Sequence, residues 1–132
     1  MILLDEQVRS DQRILLTRFG FAFRQIGKDI APFGIKDENI IPFLLTLKSP
    51  TLFTHDRGFF QQRLTHPGYC LALLSESDVE AAVYVRKFFR HPQFNTNAKR
   101  MGVVARAHQE AIHFWRRGGS STPACRMDHL TT

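Results

Sequence analysis

No apolar run in this chain exceeds about six residues, the longest being Ile40–Leu45 and Tyr69–Leu74. Runs of that length match buried strands and fall far short of the roughly 20 residues that cross a bilayer. They are also spaced by segments of helical character. Met1–Leu4 reads as a strand, and Val8, Ile14, Leu15, Leu16 and Phe19 recur at helical spacing before Gly20 closes the helix. Phe21, Phe23 and Ile26 suit a second strand, and residues 27–34 form a connector. The acids of Lys36-Asp37-Glu38-Asn39 stand where a helix dipole favours them. Pro42 requires that helix to start a few residues after Asp37 or to bend.

Thr51–Thr54 is a third strand, Phe59–Leu64 a short helix, and Tyr69–Leu74 a strand buried on both faces. Ser77-Asp78-Val79-Glu80 matches a capping box and opens a helix running to about Arg90, before Pro92. Two strands, Val103–Ala107 and Ala111–Arg116, make a hairpin. Strands alternating with helices define an α/β sandwich around a mostly parallel sheet. The 132 residues suffice for one domain, assigned to residues 1–117, and exclude a two-domain enzyme. Residues 118–132 are poor in apolar side chains and are expected to be a disordered tail.

Eighteen Lys and Arg against 12 Asp and Glu give a net charge of +6 and favour polyanionic partners. The amino-terminal apolar stretch, closed by Asp5 and Glu6, is too short for a signal-peptide core. Cys70 and Cys125 have neither the number nor the spacing of a disulfide framework or a zinc site. A cytoplasmic location is the resulting expectation. Gly-rich phosphate loops and dinucleotide fingerprints are absent. Ser75 and Ser77 lack a paired His and Asp. His108, Glu110 and His113 depart from zinc-peptidase spacing, with their histidines about 140° apart on a helix.

The acids are more informative. Asp5 follows the first strand, Asp56 follows the third, and Asp37 opens the helix leading into the third. All three belong to one sheet edge, where converging carboxylates form a hard-oxygen site for Mg²⁺ or Mn²⁺. The plainer explanation is that acids are favoured at such turns and helix starts. Lys36 and Arg57 adjoin the acids, and Arg9 and Arg13 lie one helical turn apart just after Asp5. They are candidates to bind substrate phosphates, or form a solvated helix face. Arg86, Lys87, Arg90, Lys99 and Arg100 read as solvated surface. Among the 12 phenylalanines, Phe59-Phe60 and Phe88-Phe89, with Trp115, are either core or a stacking platform.

Three segments carry a family likeness: Ile2-Leu3-Leu4-Asp5-Glu6, Gly34-Ile35-Lys36-Asp37-Glu38-Asn39, and Leu52-Phe53-Thr54-His55-Asp56-Arg57-Gly58-Phe59. In this order they resemble the compact PIN-like nucleases, small relatives of the PIN-domain ribonucleases that are often toxins of toxin–antitoxin pairs. The likeness spans roughly residues 1–116 and is specific over residues 2–59. It implies a PIN-like three-layer sandwich and a Mg²⁺- or Mn²⁺-dependent endoribonuclease that leaves a 5′-phosphate. By position, Asp5, Asp37 and Asp56 would hold the metal, and Thr54 would orient a carboxylate. The family's second aspartate of the last motif is Gly58 here, so Glu6 or Glu38 would have to compensate. The bound cation activates water and offsets charge on the phosphate and the leaving oxygen, so no side chain need be the nucleophile. Implied partners are an RNA substrate, a short antitoxin protein and a second copy of the chain, with no membrane.

Two alternatives use the same residues. A phosphoacceptor receiver would take Asp5-Glu6, Asp56, Ser75 or Ser77, and Lys99. A catalytically inactive PIN-like binding module is motivated by Gly58.

Overall fold

The computed structural model describes residues 1–31, 34–74, 81–108, 111–117 and 124–126. The chain begins with β1 (Ile2–Leu4), α1 (Ser10–Arg18), β2 (Phe23–Gln25), α2 (Asp37–Leu44) and β3 (Thr51–Thr54). Two 3₁₀ turns, Arg57–Phe59 and Gln62–Leu64, lead into β4 (Cys70–Leu73). Then follow α3 (Ala81–Arg90), α4 (Asn97–Arg100), β5 (Val103–His108), β6 (Ala111–Arg116) and β7 (Ala124–Arg126). Among the described residues these strands form one seven-stranded sheet in the order β2-β1-β3-β4-β5-β6-β7. The first five run parallel, and β6 and β7 are antiparallel additions. The fold is therefore α/β with a mostly parallel sheet.

The period-two alternation of each strand divides the core. Ile2, Leu4, Phe53, Cys70, Ala72, Val103, Ala105, Ile112 and Phe114 face α1 and α3, where Leu16, Tyr84, Val85 and Phe88 meet them. Leu3, Leu52, Leu71, Leu73 and Val104 face the other way, under Ile40 and Leu44 of α2 and Phe59 of the first 3₁₀ turn. Apolar residues on both faces explain why β3 and β4 read as unbroken runs. Around Phe53, the rings of Tyr84, Phe88 and Phe89 pack with centroids 5.9–6.2 Å apart, and Phe94 stacks on Phe88 at 4.6 Å. Phe88 is completely buried and Phe59 nearly so, as the core alternative requires.

Several local expectations change. In α1, Ile14 is exposed, whereas Gln12 is buried and accepts a 2.9 Å hydrogen bond from the Ala82 amide at the start of α3. A buried amide satisfied by a neighbouring helix costs little, so periodicity alone misassigned that face. Helix α2 starts at Asp37 itself and carries Pro42 beyond its first turn. Proline has no N–H for the bond to the carbonyl four residues back, and the helix ends two residues later. The expected 59–64 helix is the pair of 3₁₀ turns. The short α4 was not anticipated; Thr96 caps it by accepting the Lys99 amide.

Arg100 is not solvated surface. It is buried, its guanidinium 4.0 Å above the Phe89 ring and bonded to the Phe94 carbonyl and the Asn97 side chain. Within the stretch expected to be a tail, Ala124–Arg126 pairs antiparallel with β6. The rest of 118–132 lies outside the described residues, as do Ser75, Ser77, Glu80 and Glu110. No helix among the described residues is long and apolar enough to cross a membrane.

Candidate functional site

Chain order and sheet order diverge at β1. Its successor β2 lies on one side and β3 on the other, which opens a crevice at the carboxyl ends of β1 and β3. Asp5 is the first residue past β1, and its amide still donates to the Phe53 carbonyl at 2.9 Å. The Asp5 backbone is therefore held against β3. Its carboxylate accepts the Thr54 hydroxyl at 2.7 Å on Oδ2 and the Gln7 amide at 3.1 Å on Oδ1.

Thr54 is the last residue of β3 and is buried. Its hydroxyl also accepts the Asp56 amide at 3.1 Å, so one oxygen ties both acidic segments together. The Asp56 carboxylate in turn accepts the Gly58 amide at 2.8 Å and caps the first 3₁₀ turn. Gly58 thus supplies a backbone donor to the Asp56 carboxylate. A Cβ at this position would sit 3.1 Å from Asp56 Oδ1, so a larger residue would push on that carboxylate.

Asp5, Glu6, Thr54, His55 and Asp56 line a cleft of about 340 Å³ whose apolar walls include Ile26, Ile40, Leu52 and Phe59. Glu6 Oε2 accepts the Gly34 amide at 3.0 Å and so fastens the loop after β1 to the connector before α2. Asp56 and Phe59 also line a second cavity of about 470 Å³ that contains Glu38, Arg63 and Gly58. Asp37 is the first residue of α2, between Ile35 and Ile40, which both line the first cleft. Its side chain lies outside the described atoms. Among the described residues, no three His, Cys, Asp or Glu side chains converge within reach of one ion. Beside His55 and Gln7, the polar residues lining the cleft are Asp5, Glu6, Thr54 and Asp56, whose carboxylate and hydroxyl oxygens are of the kind a hard divalent cation takes.

Lys36 is exposed and precedes α2, and Arg57 is exposed directly after Asp56. Arg9 pairs with Asp11 at 3.2 Å, and Arg13 is half-buried in α1; neither is among the described residues lining the cleft. Lys99 precedes β5, with its ammonium on the Pro92 carbonyl and the Asn95 side chain. A parallel strand's preceding element lies at the opposite edge from the acids, and no lysine follows residue 99. The receiver arrangement therefore lacks its lysine at the acid edge. His108 and His113 lie on a hairpin rather than a helix.

Gln25 was not singled out by sequence. It is completely buried, and its side-chain amide donates to the carbonyls of Asp5 at 3.0 Å and Val8 at 3.1 Å, clamping the turn that carries Asp5 and Glu6. The signal was available: Gln25 continues the alternation of Phe21 and Phe23, placing a polar residue at an inward position.

No family model, curated protein or solved structure matches this chain.

Proposed function

We propose that the chain is a PIN-like, Mg²⁺- or Mn²⁺-dependent endoribonuclease. The observation that carries this reading is the pair of acidic segments joined through the Thr54 hydroxyl at the β1–β3 crevice. The resemblance noted in the sequence supplies the finer fold name, the substrate class and the toxin role. Asp5, Asp37 and Asp56 would hold the cation, with Glu6 and Glu38 on the flanks. When bound, the cation supplies water activation and charge neutralisation at the phosphate.

The chain's own residues set the geometry. Thr54 and the Gln7 amide fix the Asp5 carboxylate, and the Gly58 amide fixes that of Asp56. Each carboxylate keeps lone pairs beyond these bonds for a cation. Lys36 and Arg57 lie beside the acids and offer charge to an incoming phosphate.

The test is cleavage of a labelled RNA by the purified chain with Mn²⁺. Asp5→Asn and Asp56→Asn are expected to abolish cutting without changing the far-ultraviolet circular dichroism, and a chelator to stop it. Variants that cut as fast as the parent would refute the assignment. A short antitoxin gene beside this one is the expected sign of the toxin role.

A further inference from the structure

Arg106 lies in the same sheet row as Thr54. Thr54 pairs with Leu73 of β4, and Leu73 pairs with Arg106 of β5. Two strand spacings separate them, about 10 Å. Alternation places Arg106 on the face of Val104, the face that Leu52, Leu73 and Phe59 also occupy. Its guanidinium lies 4.7 Å over the ring of Phe60, and Phe60 packs in turn against Trp115 at 6.1 Å. Phe60 follows directly on the 3₁₀ turn that Asp56 caps. The cation is therefore oriented by the same segment that carries an acid of the candidate site.

Arg106 also stands without an anionic partner among the described residues, and its Nε is buried without a hydrogen-bond partner. Arg100 also has a buried Nε without a partner, but its terminal nitrogens are spent on the Phe94 carbonyl and the Asn97 side chain, and the Nε of Arg9 pairs with Asp11. A half-buried guanidinium held over an aromatic ring leaves its terminal N–H groups to a planar or tetrahedral oxyanion.

We propose that Arg106, laid over Phe60, grips a backbone phosphate of the RNA substrate away from the scissile bond. A separation of about 10 Å across the sheet puts the gripped phosphate a short way along the backbone from the reacting one. The contact is to the backbone and adds affinity without sequence preference. The proposal rests on the nuclease reading, and its test separates the two.

The chain carrying Asp5→Asn, expected to hold RNA without cutting it, is titrated with a fluorescein-labelled single-stranded RNA. KCl is varied from about 50 to about 300 mM. Adding Arg106→Met, which keeps the apolar stem over Phe60, should lower the slope of log K against log salt by about 0.7, as for one lost phosphate contact on a single strand. Affinity should fall several-fold, equally for RNAs of unrelated sequence. Arg18→Met, at the far end of α1, should leave the slope unchanged. Arg106→Lys should keep the slope while weakening binding, because its charge remains but its stacked fork does not.

An unchanged slope in Arg106→Met, an equal loss in Arg18→Met, or a loss in Arg106→Lys as large as in Arg106→Met would overturn the grip. Metal-dependent cleavage by the parent together with an unchanged slope overturns the grip alone. A slope change in a chain that never cleaves supports the grip and overturns the nuclease reading. No RNA binding by the chain overturns both.

Discussion

Thr54→Val replaces a hydroxyl by a methyl of nearly the same volume at a position only 1% exposed. Two hydrogen bonds disappear: the 2.7 Å bond to the Asp5 carboxylate and the 3.1 Å bond from the Asp56 amide. A bond to a charged group contributes about 1.5–3 kcal/mol, and an amide left without an acceptor costs about 1–3 kcal/mol. Water reaches the half-buried Asp5 through the cleft and recovers part of the loss, so the expected cost is about 2 kcal/mol. At this chain length that is a fall of about 6–10 °C in melting temperature.

Thr54→Ser keeps the hydroxyl and removes one methyl, for about 1 kcal/mol. On the proposed nuclease function, the Mn²⁺ needed for half-maximal RNA cleavage should rise about 10- to 100-fold in Thr54→Val and little in Thr54→Ser, since the lost contact orients the carboxylate proposed to hold the metal. Urea unfolding of Thr54→Val, Asp5→Asn and the double variant isolates the pair. A coupling of at least about 0.5 kcal/mol is expected for residues in contact. Additive single effects, or Val and Ser variants with equal metal requirements, would refute the shared-hydroxyl argument.

Gln25→Leu removes the clamp on the carbonyls of Asp5 and Val8. It should cost about 2–3 kcal/mol in urea unfolding and speed hydrogen exchange at the Val8 amide more than in β5; a cost below about 0.5 kcal/mol would contradict the buried-acceptor reasoning. Alkaline pH should also weaken the fold. Burial pushes the Cys70 thiol from 9.0 up to about 12 and raises Tyr69 in the same direction. Below pH 9 both states keep these protons and stability is level in this respect. Above it the unfolded chain releases them first, so stability falls by up to about 1.4 kcal/mol per pH unit from Cys70. Urea midpoints at about pH 8 and about pH 10.5 measure the fall, and Cys70→Ala should flatten it.

The parallel strands β1, β3 and β4 were legible because they are bounded by turn residues and buried on both faces, so their apolar runs carry the assignment alone, whereas β7 was read as tail. The β5–β6 hairpin was legible from alternation. What escaped depends on partners distant in sequence. Gln12 and Gln25 look like surface residues until the Ala82 amide and the Asp5 and Val8 carbonyls are brought to them. Arg100 looks solvated until Phe89 and the Phe94 carbonyl enclose it. Of the candidate site, Asp5 and Asp56 were readable because position relative to a strand end fixes which edge a residue occupies, whereas Glu6 and Thr54 were singled out only through the family resemblance. The use of Gly58 as a backbone donor was not, since a glycine's amide leaves no chemical signature in the sequence.

The Thr54 hydroxyl joins side chains 49 residues apart in the chain. Those groups meet only when β1 and β3 have closed side by side, a contact of long sequence separation whose loop-closure entropy must be met before anything rewards it. The chemistry of the crevice and the formation of the central sheet are therefore one event. A collapsed or partly helical chain would carry all the acids and none of their mutual arrangement, and on refolding the site would come into being only with the pairing of β1 and β3.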